Sequence, residues 1–137
     1  MKTLFIYYTL GGHTKAIAEE RAGKESADIA EIKGVRRTGK LKAFTAGIVA
    51  SVRGKAWPIQ PLDVDFGQYD RLVLLAPVWA SNTPPAVNAF LEQLPAGKSV
   101  SVVMVSGSGK SECKERLEAL ITAKGSAFES FEDIKAE

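Results

Sequence analysis

The sequence predicts an α/β domain, a three-layer doubly wound parallel sheet with helices on both faces. Two observations predict it. Three short apolar runs, Leu4–Tyr8, Leu72–Ala76 and Val100–Val105, are too concentrated for half-exposed strands and read as strands buried on both faces. Each run is followed by a turn and then by residues at helical spacing. Alternating strands and helices imply parallel pairing with right-handed crossovers. The chain of 137 residues suits one such domain and is too short for two.

In chain order, the first strand leads through Thr9–Thr14 into a helix over Thr14–Arg21, with Ala16, Ile17 and Ala18 as its apolar contacts. Asp28–Ile32 reads as a short second strand. Gly39–Arg53 carries Leu41, Phe44, Ile48 and Val52 three or four apart and reads as an amphipathic helix, weakened by Gly47. A proline-punctuated connector, Trp57–Leu62, leads to the strand at Leu72–Ala76. Pro84 and Pro85 suit a helix's first turn, and Val87, Phe90, Leu91 and Leu94 form its stripe over Pro84–Leu94. After Val100–Val105 the spacing predicts a helix over Ser111–Ala123, with Leu117, Leu120 and Ile121 on one face. Ala127–Ile134 reads as a fifth strand, and the final helix that would close such a domain is missing.

Composition narrows the chemistry. Hydrophobic residues make up 45% and charged residues 25%, as in an ordinary globular domain. No run approaches the ~18 apolar residues of a membrane helix, and the opening run is too short for a signal-peptide core. A cytoplasmic location is therefore expected. A single cysteine, Cys113, cannot form an intrachain disulfide, and with one histidine, His13, no His/Cys metal site is expected. Any redox chemistry must then come from an organic cofactor. Net charge is +2, but seven basic residues and no acidic one fall between Lys33 and Leu62. That block reads as a solvated helix face near an anionic ligand, or as a surface for an acidic partner, a nucleic acid or an anionic lipid surface.

Three turns carry the candidate site. Thr9, Leu10, Gly11, Gly12, His13 and Thr14 join a buried strand to a helix N-terminus, where unpaired N–H groups and the dipole attract a phosphate. Gly11 and Gly12 allow a tight turn, Thr9 and Thr14 bring hydroxyls, and His13 adds a ring N–H. The alternative is an ordinary turn with Thr14 as N-cap. Pro77, Val78, Trp79, Ala80, Ser81 and Asn82 follow the second buried strand, so they sit at the same sheet edge. Trp79 offers an aromatic face, or else packs in the core; Ser81 and Asn82 offer polar groups to a heterocycle. Ser106, Gly107 and Gly109 lie in the third turn and would line the same pocket. Gly109-Lys110-Ser111 imitates the end of a P-loop, but Met104 stands where that motif needs a glycine.

Tyr8-Thr9-Leu10-Gly11-Gly12-His13-Thr14 and Pro77-Val78-Trp79-Ala80-Ser81 together resemble the phosphate and flavin loops of the flavodoxin-like family, above all the small bacterial flavodoxins. Gly54–Leu62 and Tyr69-Asp70 extend the resemblance, which runs to about Ala123. It implies strand order 2-1-3-4-5 and FMN as cofactor. Thr9, Gly12 and Thr14 would then contact the phosphate and Pro77–Ala80 the isoalloxazine ring. Gly11 replaces the family's usual Ser or Thr; one lost hydrogen bond to a charged group costs roughly 1.5–3 kcal/mol. His13 replaces a usual Asn, and Ser81 a common glycine. The resemblance implies electron transfer, with a redox partner protein or an NAD(P)H-linked reductase. Its rivals are an NAD(P)H-dependent flavin or quinone reductase and a non-enzymatic module without flavin. The missing helix raises the further expectation of a homodimer through an open sheet face.

Overall fold

A computed structural model describes residues 2–34, 57–79 and 81–135. The helix expected over Gly39–Arg53, most of the basic block, and Ala80 lie outside the described residues. The order of elements is β1 (Thr3–Tyr7), α1 (His13–Glu25), β2 (Asp28–Glu31), a 3₁₀ turn (Phe66–Gln68), β3 (Arg71–Pro77), α2 (Pro85–Glu92), β4 (Ser99–Ser106), α3 (Lys114–Ala123) and β5 (Ala127–Lys135). The five strands form one parallel sheet in the order β2-β1-β3-β4-β5.

Strand alternation sends successive side chains to opposite faces. Leu4, Ile6, Leu72, Leu74, Val100, Val102 and Met104 face α2 and α3, which contribute Val87, Phe90, Leu91, Leu117 and Ile121. Phe5, Tyr7, Val73, Leu75, Val103 and Val105 face α1, which contributes Ala18 and Ala22. The apolar runs are therefore buried on both sides, as parallel strands between helix layers must be.

Helix limits differ from the sequence expectation at caps. Gly12, not Thr14, is the N-cap of α1; Gly12 is left-handed at φ 95° and Thr14 lies inside the first turn, 2% exposed. The helix runs on past Arg21 to Glu25, where Ser26 at φ 52° ends it and its N–H bonds the Gly23 carbonyl. α3 begins at Lys114, after the N-cap Cys113, because 111 and 112 are held elsewhere: the Ser111 hydroxyl donates to Asp133, and the Glu112 N–H donates to the Ser81 carbonyl at 2.8 Å.

The fifth strand shows why its sequence lacked alternation. Phe128, Phe131 and Ile134 are three apart and half-buried. A register irregularity between Val100 and Ser101 inserts an extra residue opposite β4. That bulge resets the alternation, so Phe128 and Phe131 both pack on the α2–α3 core and Ile134 on the α1 core. The extra residue, Glu129, accepts from Ser99 Oγ at 2.6 Å and from Arg71 Nε at 3.3 Å.

Polar residues cover the outer part of the α1 face. Arg71 also reaches Glu25, and Arg21 on α1 pairs with Glu132 on β5 at 2.6 Å. Among the described residues the exposed large apolar side chains are Leu10 and Ile29. No helix of the described residues is long and apolar enough to cross a membrane.

Two outcomes follow from this packing. Phe90→Ala, which empties a position 2% exposed, is expected to lower unfolding free energy by about 3–5 kcal/mol in urea titration. Tyr7 Oη donates to Glu31 Oε1, and burial together with that carboxylate pushes its phenol from 10 up to about 12. A raised folded value stabilises fully below pH 10 and is lost as pH rises toward 12. Tyr7→Phe is therefore expected to shrink the alkaline fall in melting temperature across that window.

Candidate functional site

β1 and β3 are neighbours, but the chain leaves them toward opposite faces, β1 into α1 and β3 into α2. In open parallel sheets such a divergence at the carboxyl ends of the strands is where ligand crevices form. The Tyr8 N–H donates to the Leu75 carbonyl at 3.1 Å, and the Val78 N–H donates to Val105 at 3.0 Å, so all three sequence-predicted turns start side by side.

In the first turn, the Gly12 N–H donates to Thr9 Oγ1 at 2.9 Å, and the Gly12 carbonyl accepts from Ala16. Gly12 begins α1 at a positive φ, with no side-chain cap on the helix. Its leading N–H groups have no intrahelical acceptor, and α1 has no acidic residue in that turn to compete for them. Leu10, Gly11, Gly12 and His13 are exposed, Thr9 is half-buried and Thr14 is buried. Gly12 is required by its conformation; at Gly11 an added Cβ would meet only His13 Cδ2, at 3.9 Å.

In the second turn, Trp79 and Asn82 exchange both backbone hydrogen bonds, and Ser81 is left-handed at φ 66°. Trp79 packs against two other aromatic rings. Trp79 is 6% exposed, edge-to-face with Tyr8 at 5.9 Å and with Trp57 at 6.5 Å between ring centroids. Tyr8 is half-buried, and burial pushes its phenol up, which keeps it a neutral donor. The Asn82 side chain is engaged by the protein. Its Oδ1 accepts from the Thr83 N–H and from Arg116 Nε and Nη2, so that oxygen is spent on the protein rather than offered to a ligand. Pro77 ends β3, and Val78 packs on the α2–α3 core.

The third turn is closed on itself. Ser106 Oγ accepts from the N–H groups of Gly109 and Lys110, at 2.9 and 3.2 Å. Gly109 at φ 74° faces Lys135 closely, whereas Gly107 is open to solvent. Ser111 is bound to Asp133, so the P-loop imitation holds no phosphate cradle.

Sequence reading passed over Arg116. It lies three residues after Cys113 and four before Leu120, on the inward stripe of α3, and that position was the available signal. Its Nη2 also bonds Thr83 Oγ1, and burial pulls the guanidinium down from its ordinary value. Cys113, fully buried beside it, has its thiol pushed up by burial. Among the described residues no group of three His, Cys, Asp or Glu is placed to hold a metal.

A cavity of about 530 Å³ lies at the other edge of the sheet, among Leu4, Asp28, Asp63, Asp65 and Tyr69. Its three carboxylates repel a phosphate, so it is no rival to the first turn as an anion site.

No known family's sequence profile matches the chain, and no curated protein sequence matches it. Solved structures do match. A flavoprotein from Lactobacillus acidophilus, in complex with FMN, is 20% identical with TM-score 0.75, over 96% of this chain and 93% of its own. The fold is flavodoxin-like. Flavodoxin 2 from Bacillus cereus is 18% identical with TM-score 0.58, over 99% and 86%. The Megasphaera elsdenii flavodoxin is 18% identical with TM-score 0.61, over 98% and 86%. The strand order β2-β1-β3-β4-β5 is the one expected from the loop resemblance.

The two glycines of the first turn separate cleanly. Gly12→Ala forces a side chain into the left-handed region and is expected to cost about 1–2 kcal/mol in urea unfolding. Gly11→Ala is expected to stay within about 0.5 kcal/mol of the parent.

Proposed function

We propose that the chain binds FMN at the β1–β3 crevice and serves in electron transfer. The observation that carries this reading is the Gly12-started N-terminus of α1, opening where the loops after β1 and β3 diverge. The residues fit the group. A phosphate would meet the N–H groups of the first helical turn and the Thr9 hydroxyl, with His13 and Lys15 exposed at its edge. Exposed Leu10 and half-buried Tyr8 would supply apolar surface for the ring, with Trp79 packed behind Tyr8, and the second turn would supply backbone groups. The FMN complex of the Lactobacillus acidophilus flavoprotein supports the same reading.

When bound, FMN supplies the one- and two-electron chemistry. The protein's own part is to hold the phosphate by backbone donors, to limit water at the ring, and to keep Tyr8 protonated beside it. No described side chain in the three turns needs to act as acid or base in that scheme. The electron partner is then a redox protein or an NAD(P)H-linked reductase.

Titration of the purified protein with FMN tests the reading. The flavin fluorescence is expected to be quenched, its visible bands to shift, and the complex to survive dialysis. FMN that stays fully fluorescent and dialyses away would overturn it.

A further inference from the structure

We propose that Arg116 is the positioning residue of the flavin-facing turn: from α3 it sets the place of Ser81 and Asn82, and through them the affinity for FMN. The inference rests on the FMN reading above, and its own geometry is independent of the flavin. Arg116 Nε and Nη2 converge on Asn82 Oδ1 at 3.1 and 2.6 Å. Nη2 also bonds Thr83 Oγ1 and approaches Asn88 Oδ1 at 3.5 Å. Thr83 is fully buried and Asn88 is 5% exposed. One guanidinium thus ties the end of the β3 loop and the start of α2 to α3.

The partners are all neutral oxygens. None of the ion pairs among the described residues includes Arg116. Desolvating a guanidinium without a carboxylate is a poor way to gain stability. What the planar fork delivers is geometry, since its donors hold fixed directions where a lysine would not. The turn needs such support. Ser81 is a non-glycine residue at φ 66°, a left-handed conformation that side chains rarely adopt unless their surroundings hold it. The connection into α3 holds it twice, by the Glu112 N–H on the Ser81 carbonyl and by Arg116 on Asn82. Asn82 in turn exchanges backbone bonds with Trp79, which packs on Tyr8 and Trp57. A displacement at Asn82 therefore reaches the aromatic wall of the crevice.

Arg116→Met and Arg116→Lys test this against the parent protein, with and without FMN. The Trp57–Trp79 pair gives a readout that needs no flavin, an exciton couplet in far-ultraviolet circular dichroism. Arg116→Met is expected to weaken the couplet and to raise the FMN dissociation constant about ten-fold, with Arg116→Lys between it and the parent. An unchanged couplet and an unchanged dissociation constant in Arg116→Met would overturn the proposal. Should Arg116→Met fail to fold, Arg116→Lys decides: a parental melting temperature with weaker FMN binding supports positioning, and parental binding refutes it. A parent that binds no FMN defeats the proposed function, while the couplet alone still decides the role of Arg116.

Discussion

Parallel pairing of β1 with β3 is the constraint on which the rest depends. Parallel neighbours cannot be joined by a hairpin, so each strand must exit into a crossover, and both exits lie at the same sheet edge. Here the exits turn to opposite faces, α1 to one and α2 to the other. The chain turns to opposite faces beyond Tyr7 and Leu75, which are register partners, and that is the switch point at which open parallel sheets bind ligands. The site is a consequence of topology before it is a matter of side chains.

Side chains then decide what the crevice favours. Gly12 starts α1 in the left-handed conformation, and neither the first turn of α1 nor 78–79 and 81–83 carry an acidic residue. The carboxylates Asp28, Asp63 and Asp65 gather instead at the far edge. The arginine that matters, Arg116, works from behind, through Asn82.

Much of this was legible in the chain itself. Leu4–Tyr8, Leu72–Ala76 and Val100–Val105 announced buried strands because double-sided burial leaves no polar alternation to obscure them. The glycine pair marked the first turn, and only Gly12 proved conformationally demanding. Helix limits were less legible, since caps are set by single backbone angles and by partners far away in sequence. Ser111 and Glu112 stay out of α3 because Asp133 and Ser81 claim them.

By itself the sequence determined the fold class, the strand order through its loop resemblance, and the edge at which the three turns meet. Periodicity and turn chemistry are local properties, and local properties survive in a linear record. Tertiary structure alone decided that Trp79 packs against Tyr8 and Trp57, that Asn82 turns its carbonyl to Arg116, and that a bulge at Glu129 places Phe128 and Phe131 on one face. Each of these joins residues that are distant in the chain or depends on strand register. A side chain's partner is set by which surfaces the fold brings within about 3–4 Å, and no spacing rule within one segment encodes that distance.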